Sequence, residues 1–263
     1  MGTVAKALSL LDLFTLARPE IGLSDLARLS GMNKATVYRM VSELQAEGLL
    51  EQTGTRAYRI GPAVLRLAAL REATVPLRAA AMPLLQRLSD RTGETVHLSF
   101  LEGGKLGTYA FTYADAHGTS VRMEDAAVLP FHATASGLAV LAYLPPDRRE
   151  ALLTPPLAGF TAATQTDAAR IRAALSQVRA SGIAVSTGGF EADVSSLAVP
   201  LFAADGSVTG ALAVATPVSR MTDALRARIA QALTDTAPAL GALWGASPLL
   251  QDTPPPPVPE PTD

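Results

Sequence analysis

His132 and Ser136 stand four residues apart and bring together an imidazole and a hydroxyl, the residue types of a base and a nucleophile. Their surroundings do not complete that chemistry. A serine nucleophile on a strand-to-helix elbow needs a glycine two positions before it, and Thr134 stands there. The segment His132-Ala133-Thr134-Ala135-Ser136-Gly137 reads instead as the start of a helix with small first residues, where free backbone N–H groups and the helix dipole favour a carboxylate or another anion. In this reading Ser136 caps the helix and His132 is a packed side chain. Glu191 and Asp193 have the types for paired acid–base work, but beside Gly188-Gly189 they read as solvated loop acids. With no cysteine and only His97, His117 and His132 as histidines, thiol catalysis, zinc ribbons and iron–sulfur clusters are excluded. No metal, cofactor or catalytic residue is expected, and the pattern favours binding over turnover.

A second group of residues points to nucleic acid. Between residues 23 and 44, Ala27 and Gly31 supply a small residue and a turn glycine, while Leu26, Met32, Val37 and Met40 fall where two steeply crossing helices must touch. Burying those positions leaves Lys34, Thr36, Tyr38, Arg39 and Ser42 outward on the second helix, a set able to meet phosphates and base edges in a major groove. Ser24 and Asn33 stand at the helix starts as further candidate contacts, and Arg56 at the tip of the following hairpin is placed to reach a minor groove or backbone. An ordinary three-helix bundle would carry similar solvated charges, because residues 1–61 hold seven basic and six acidic groups. The joint spacing of helix, turn, helix and hairpin is what favours DNA. A module this weakly basic needs a dimer, which doubles its contacts and reads two half-sites about one helical turn apart.

These residues need elements to hold them. The chain has 263 residues, 48% hydrophobic and 17% charged, with 22 basic against 24 acidic groups, so it is neither a disordered polyanion nor a basic nucleic-acid glue. At about 100–200 residues per domain it should form two unequal domains. Apolar spacing predicts a first helix over 4–17, a short helix over 25–29 capped by Ser24, and a longer one ended by Gly48. Strands follow over 49–53 and 57–60. A helix from 62 to 72 links the domains, and another runs over 83–91. Strand pairs over 96–101 with 106–113, and 194–202 with 208–215, alternate with helices near 136–144, 147–153, 167–181 and from 222, which argues an α+β domain built on antiparallel hairpins. On strand 194–202 one hydroxyl, of Ser195 or Ser196, faces inward. Ala211, Ala213 and Ala215 share a face that leaves space for a ligand or for a packed helix. The expected division is 1–61 for the helix-turn-helix with its wing, 62–75 for the linker helix, 76–247 for the second domain and 248–263 for a disordered proline-rich tail. The first residues lack a signal-peptide cleavage pattern, and the uncharged stretch 126–146 contains Pro130, His132, Thr134, Ser136 and the closing Pro145-Pro146, which do not suit a membrane span, so a cytoplasmic location and no membrane partner are expected.

Three stretches resemble the IclR type of bacterial transcription regulator. They are Val4-Ala5-Lys6-Ala7-Leu8-Ser9-Leu10-Leu11 with Thr36-Val37-Tyr38-Arg39, then Leu129-Pro130-Phe131-His132-Ala133-Thr134-Ala135-Ser136-Gly137 with Leu141-Ala142, and Leu197-Ala198-Val199-Pro200 followed by Pro217-Val218-Ser219-Arg220. The resemblance runs from Val4 to about Ala246. It implies a winged helix-turn-helix, a linker helix and a GAF-like effector-binding domain, acting as a homodimer or a dimer of dimers on operator double-stranded DNA and responding to a small molecule. Carried over by position, the effector pocket would involve Leu129, His132, the Thr134-Ala135-Ser136 backbone, Ser186, Val194, Ser196, Ala213 and Ala215. The chain departs from members that bind small keto acids by having Ala213 and Ala215 where those have serines, and Gly189 where an acid often precedes the phenylalanine. Fewer polar anchors favour a more apolar ligand, here a small or aromatic carboxylic acid with its carboxylate at the Ser136 helix start.

Overall fold

The computed structural model describes residues 2–15, 17–123 and 128–245; the expected tail over 248–263 lies outside them. The chain divides into two compact units at Pro76/Leu77.

In the first unit, α1 (Thr3–Ser9) is followed by a 3-10 turn (Leu11–Leu13). The single helix expected over 4–17 therefore breaks. Ser9 Oγ donates to Lys6 O at 2.8 Å, and Leu10 turns fully into the core. Strand β1 (Ile21–Gly22) leads straight into α2 (Leu23–Ser30), so Gly22, paired with Ala57, is the N-cap residue. Ser24 lies inside the first turn of α2 and does not cap it, which corrects the expectation. Gly31, at φ 68°, makes the left-handed turn into α3 (Lys34–Ala46). Strands β2 (Leu50–Gln52) and β3 (Ala57–Ile60) form the hairpin, and the small sheet has the order β1-β3-β2. Leu10, Ile21, Leu26, Val37, Val41 and Leu50 centre the core. Helix α4 (Ala63–Thr74) follows Pro62; none of its residues is buried, and Leu65, Leu67 and Leu70 are exposed.

The second unit opens with α5 (Leu77–Thr92), which starts six residues before Pro83 and carries that proline internally. Strands β4 (Thr95–Glu102), β5 (Lys105–Thr112), β6 (Val128–Leu129), β7 (Ala184–Thr187), β8 (Val194–Phe202) and β9 (Val208–Pro217) form, among the described residues, an antiparallel sheet in the order β6-β5-β4-β9-β8-β7. Helices α6 (Ala135–Leu141), α7 (Pro146–Leu152) and α8 (Ala168–Ser181) interrupt the strands, and α9 (Asp223–Gly245) closes the unit. Thr134, not Ser136, caps α6: its Oγ1 accepts from Gly137 N at 3.0 Å.

Alternation along the strands gives the sheet two covered faces. Val96, Leu98, Leu197, Val199, Leu212 and Val214 lie on the face packed by α5 and α9. The other face carries Ala198, Ala211 and Ala213 beneath α6 and α8. The small alanines are the packing surface for α6, so part of the space they leave is filled by a helix. Gly137 is essential to that layer, since a Cβ there would collide with the Phe131 backbone. Two polar ties brace the unit. Arg220 donates to both carboxylate oxygens of Glu94, at 2.6 and 2.8 Å, and Glu94 is only 1% exposed. His97 on β4 meets Ser136 of α6 across the sheet face at 3.1 Å, and burial lowers its pKa from 6.5 to about 4, so the ring is neutral near pH 7.

Two consequences are measurable. Between pH 6.5 and pH 4 the unfolded chain binds a proton at His97 that the folded chain refuses, so stability falls as pH is lowered through that window, by about 3 kcal/mol in total. Urea melts across this range should show a shallower pH dependence for His97→Gln than for the parent; parallel slopes would contradict the assignment. Arg220→Ala leaves Glu94 buried without its partner and should cost about 3 kcal/mol or more, on the order of 10 °C in Tm. An unchanged thermal melt would show that the pair does not brace the unit.

Candidate functional site

The first unit builds an outward-facing helix from its capping and turn chemistry. Asn33 Oδ1 accepts from Thr36 N at 2.8 Å, fixing the start of α3. Val37, Met40, Val41 and Leu44 are buried on one side of α3. The opposite side presents Lys34, Tyr38, Arg39 and Ser42 to solvent, with Thr36 half-buried and Tyr38 56% exposed. Arg28 is ion-paired with Asp25 and Arg59 with Glu51, whereas Lys34 and Arg39 have no ion-pair partner among the described residues. Ser42 donates its hydroxyl to Tyr38 O at 2.8 Å, so it is available outward only as an acceptor. Ser24 is exposed on α2.

Arg56 is exposed at the hairpin tip with φ 64°, the one non-glycine residue in the left-handed region among those described. An arginine held at a position that glycine would occupy without strain marks a place where the side chain itself is wanted. Helix, turn, helix and wing thus bring the expected α3 residues onto one face, with Asn33 engaged as their cap.

In the second unit the strand register arranges the expected pocket residues in rungs across the face under α6. Ser186, Ser196, Ala215 and Thr95 are successive cross-strand partners on β7, β8, β9 and β4. The next rung runs through Ala198, Ala213, His97 and Phe111. Val194 pairs with Pro217 at the end of β8, and Leu129 on β6 pairs with Leu106. Ser196, not Ser195, is therefore the hydroxyl on this face; Ser195 is fully buried on the other.

The loops close over this face through specific contacts. Ser186 Oγ donates to Ala133 O at 2.8 Å. A Cβ at Gly189 would lie 2.5 Å from that same oxygen and 2.6 Å from Ser186 Oγ, so an acidic side chain cannot stand at position 189 in this backbone. Thr164 Oγ1 donates to Gly189 O at 2.7 Å, and Phe160 meets Phe190 edge-on at 5.0 Å between centroids. His132 is partly exposed and donates from Nε2 to Ala158 O at 2.8 Å, its ring beside Phe160. It belongs to this loop cluster, and the partner of Ser136 is His97.

That serine–histidine contact is buried, and among the described residues His97 Nδ1 has no hydrogen-bond partner, so no described carboxylate orients the imidazole as a triad requires. The arrangement can bind; it does not assemble a relay. Sequence reasoning missed His97, Phe160, Thr164 and Phe190. The alternation of Thr95, His97 and Ser99 with Val96, Leu98 and Phe100 was the available signal for His97. Among the described residues no group of acidic and histidine side chains could hold a metal ion, and no helix is long and apolar enough to cross a membrane.

With this geometry in hand, the likeness to known proteins is specific. Residues 3–54 match the IclR helix-turn-helix domain, and residues 71–242 match the family described as bacterial transcriptional regulator IclR C-terminal. The chain is 31% identical over 255 residues to the HTH-type transcriptional regulator XynR of Escherichia coli, covering 92% of this chain and 97% of that one. A solved ICLR transcriptional regulator from Silicibacter sp. TM1040 is 55% identical, with a TM-score of 0.88 over 94% of this chain and 97% of that one. A solved IclR homologue from Microbacterium hydrocarbonoxydans, complexed with 4-hydroxybenzoate, is 27% identical, with a TM-score of 0.72 over 94% of this chain and all of that one. An N-terminal winged helix-turn-helix, a C-terminal antiparallel sheet domain with helices, and two family matches that together cover both units lead to one conclusion: this chain belongs to the IclR family of bacterial transcriptional regulators.

Proposed function

We propose that this regulator binds operator double-stranded DNA through α3 and the wing, and that a small or aromatic carboxylic acid held in its C-terminal domain changes its operator affinity. The observation that carries the DNA half is the unpaired Lys34 and Arg39 on the exposed side of a helix whose other side is locked into the core. Thr36 and Tyr38 flank them as base-edge or phosphate contacts, Ser42 accepts from a base-edge donor, Asn33 and Ser24 meet phosphate from the helix starts, and Arg56 reaches the adjacent groove.

The ligand half is supported by the solved relative's aromatic acid and by the mostly small residues on the sheet face under α6. Thr134, Ala135 and Ser136 receive the carboxylate, Ser186, Val194, Ser196, Ala213 and Ala215 line the sheet side, and Leu129 and His132 close the rim. The working form is a cytoplasmic homodimer or a dimer of dimers, for which the exposed Leu65, Leu67 and Leu70 of α4 and Val4 and Leu8 of α1 supply apolar surface. The domain boundaries of 1–61, 62–75 and 76–247 follow this division of labour. Coupling of about 1–3 kcal/mol between the sites alters operator affinity about 5–150-fold.

Arg39→Ala should lose about 1–3 kcal/mol of operator affinity in fluorescence anisotropy; unchanged affinity would mean that the helix-turn-helix serves only assembly. Arg56→Gly relieves the left-handed backbone, so it should melt no lower than the parent while the salt dependence of binding weakens by about one phosphate contact. In a thermal-shift panel, carboxylic acids should raise the melting temperature. A response confined to neutral or cationic compounds would remove the carboxylate reading.

A further inference from the structure

The polar groups of the sheet face under α6 are unevenly satisfied. Thr95 Oγ1 donates to Val121 O at 3.0 Å, and Ser99 Oγ reaches Ala211 O at 3.4 Å. His97 Nδ1 and Thr108 Oγ1, by contrast, are buried with no partner among the described residues, His97 being 6% exposed and Thr108 5%. Leaving a buried donor or acceptor unmade costs about 1–3 kcal/mol, so two on neighbouring positions are an outlay that packing alone does not explain. The register places them together. Ser99 pairs with Thr108 across β4 and β5, and His97, two residues before Ser99 on the same face, pairs with Phe111, the two rungs being separated by a bulge that brings Thr108 onto this face.

We infer that His97 Nδ1 and Thr108 Oγ1 form a hydroxyl-recognising end of the effector site, lying on the β4–β5 half of the sheet and not on the β8–β9 half. The chemistry selects an uncharged group. Thr108 has a hydroxyl, and His97 stays neutral because burial holds its pKa at about 4. No charged side chain stands on the two rungs that carry them. An ionised ligand group placed here would be desolvated without a counter-charge, whereas an alcohol or phenol both donates and accepts. Ser136 serves as the positioning residue: its hydroxyl on Nε2 fixes the imidazole, and reversing the direction of that bond turns Nδ1 from donor to acceptor to suit the incoming hydroxyl. This assignment rests on the reading of the α6 face as the effector site and makes the effector a hydroxylated molecule, most simply a hydroxycarboxylic acid.

The test compares hydroxylated and deoxy partners by titration calorimetry on the full chain: 4-hydroxybenzoate with benzoate, 3-hydroxybutyrate with butyrate, and methyl 4-hydroxybenzoate with methyl benzoate. The parent protein should bind the hydroxylated member of at least one pair about ten-fold or more tightly than its partner. Thr108→Val, which keeps the side-chain shape, should erase that advantage without weakening the deoxy compound, and Thr108→Ser should restore it. Thr216→Val is the control, because Thr216 Oγ1 is also buried and unpaired but lies on the opposite face, and it should leave the advantage intact. Equal affinities within every pair, or an advantage that survives Thr108→Val, would overturn the assignment. Acids bound without hydroxyl preference would keep the carboxylate reading and remove this one. Preference shown only among the esters would do the reverse, and no binding by any of the six would remove both.

Discussion

The C-terminal domain depends on the close approach of α6 to the segment that leads into it and to the sheet beneath. Gly137 lets α6 touch the Phe131 backbone, where any side chain would collide. Thr134 caps the helix, Ser186 holds Ala133 from the edge of the sheet, and Gly189 leaves room for that bond. Ala198, Ala211 and Ala213 then allow the helix to sit low on the strands. Each contact is short because a small residue stands where a larger one would hold the layers apart. The same closeness brings Ser136 within hydrogen-bond reach of His97, so the device that packs the domain also orients its buried imidazole.

Charge is handled differently in the two units. The C-terminal domain buries Glu94, but only with both its oxygens met by Arg220, and keeps its buried histidine neutral. In the N-terminal unit Arg28 and Arg59 are ion-paired, whereas the exposed Lys34, Arg39 and Arg56 have no ion-pair partner among the described residues. These three cations stand exposed on a domain of nearly balanced charge. Backbone strain at Arg56 falls on the same surface.

Much of this was legible from residues with local causes. Helical spacing, Gly31, Gly48 and the Gly-containing hairpins located α2, α3 and the main strands, because turn chemistry acts over a few residues. Errors arose where a tertiary contact outweighed a local preference. Ser24 has the residue type of a cap, but pairing of Gly22 with Ala57 starts α2 earlier. Ser136 has that type too, yet Thr134 occupies the cap and Ser136 is drawn to a histidine 39 residues away. The first helix was extended through Ser9 because periodicity continues past it, while burial of Leu10 bends the chain. Short β1, β6 and β7 carry too few residues to show alternation. The polar side chains of β4 resemble a solvent face, and only the helices covering both sides of the sheet reveal them as interior.

The most direct test of the account is fluorescence anisotropy of the unmodified protein with the DNA flanking its own gene against a scrambled duplex, at several salt concentrations. The account predicts tighter binding to the flanking DNA and a steep loss of affinity as salt rises, since cations on α3 and the wing displace counterions from phosphate. Failure to bind either duplex, with or without the carboxylic acids, would contradict it.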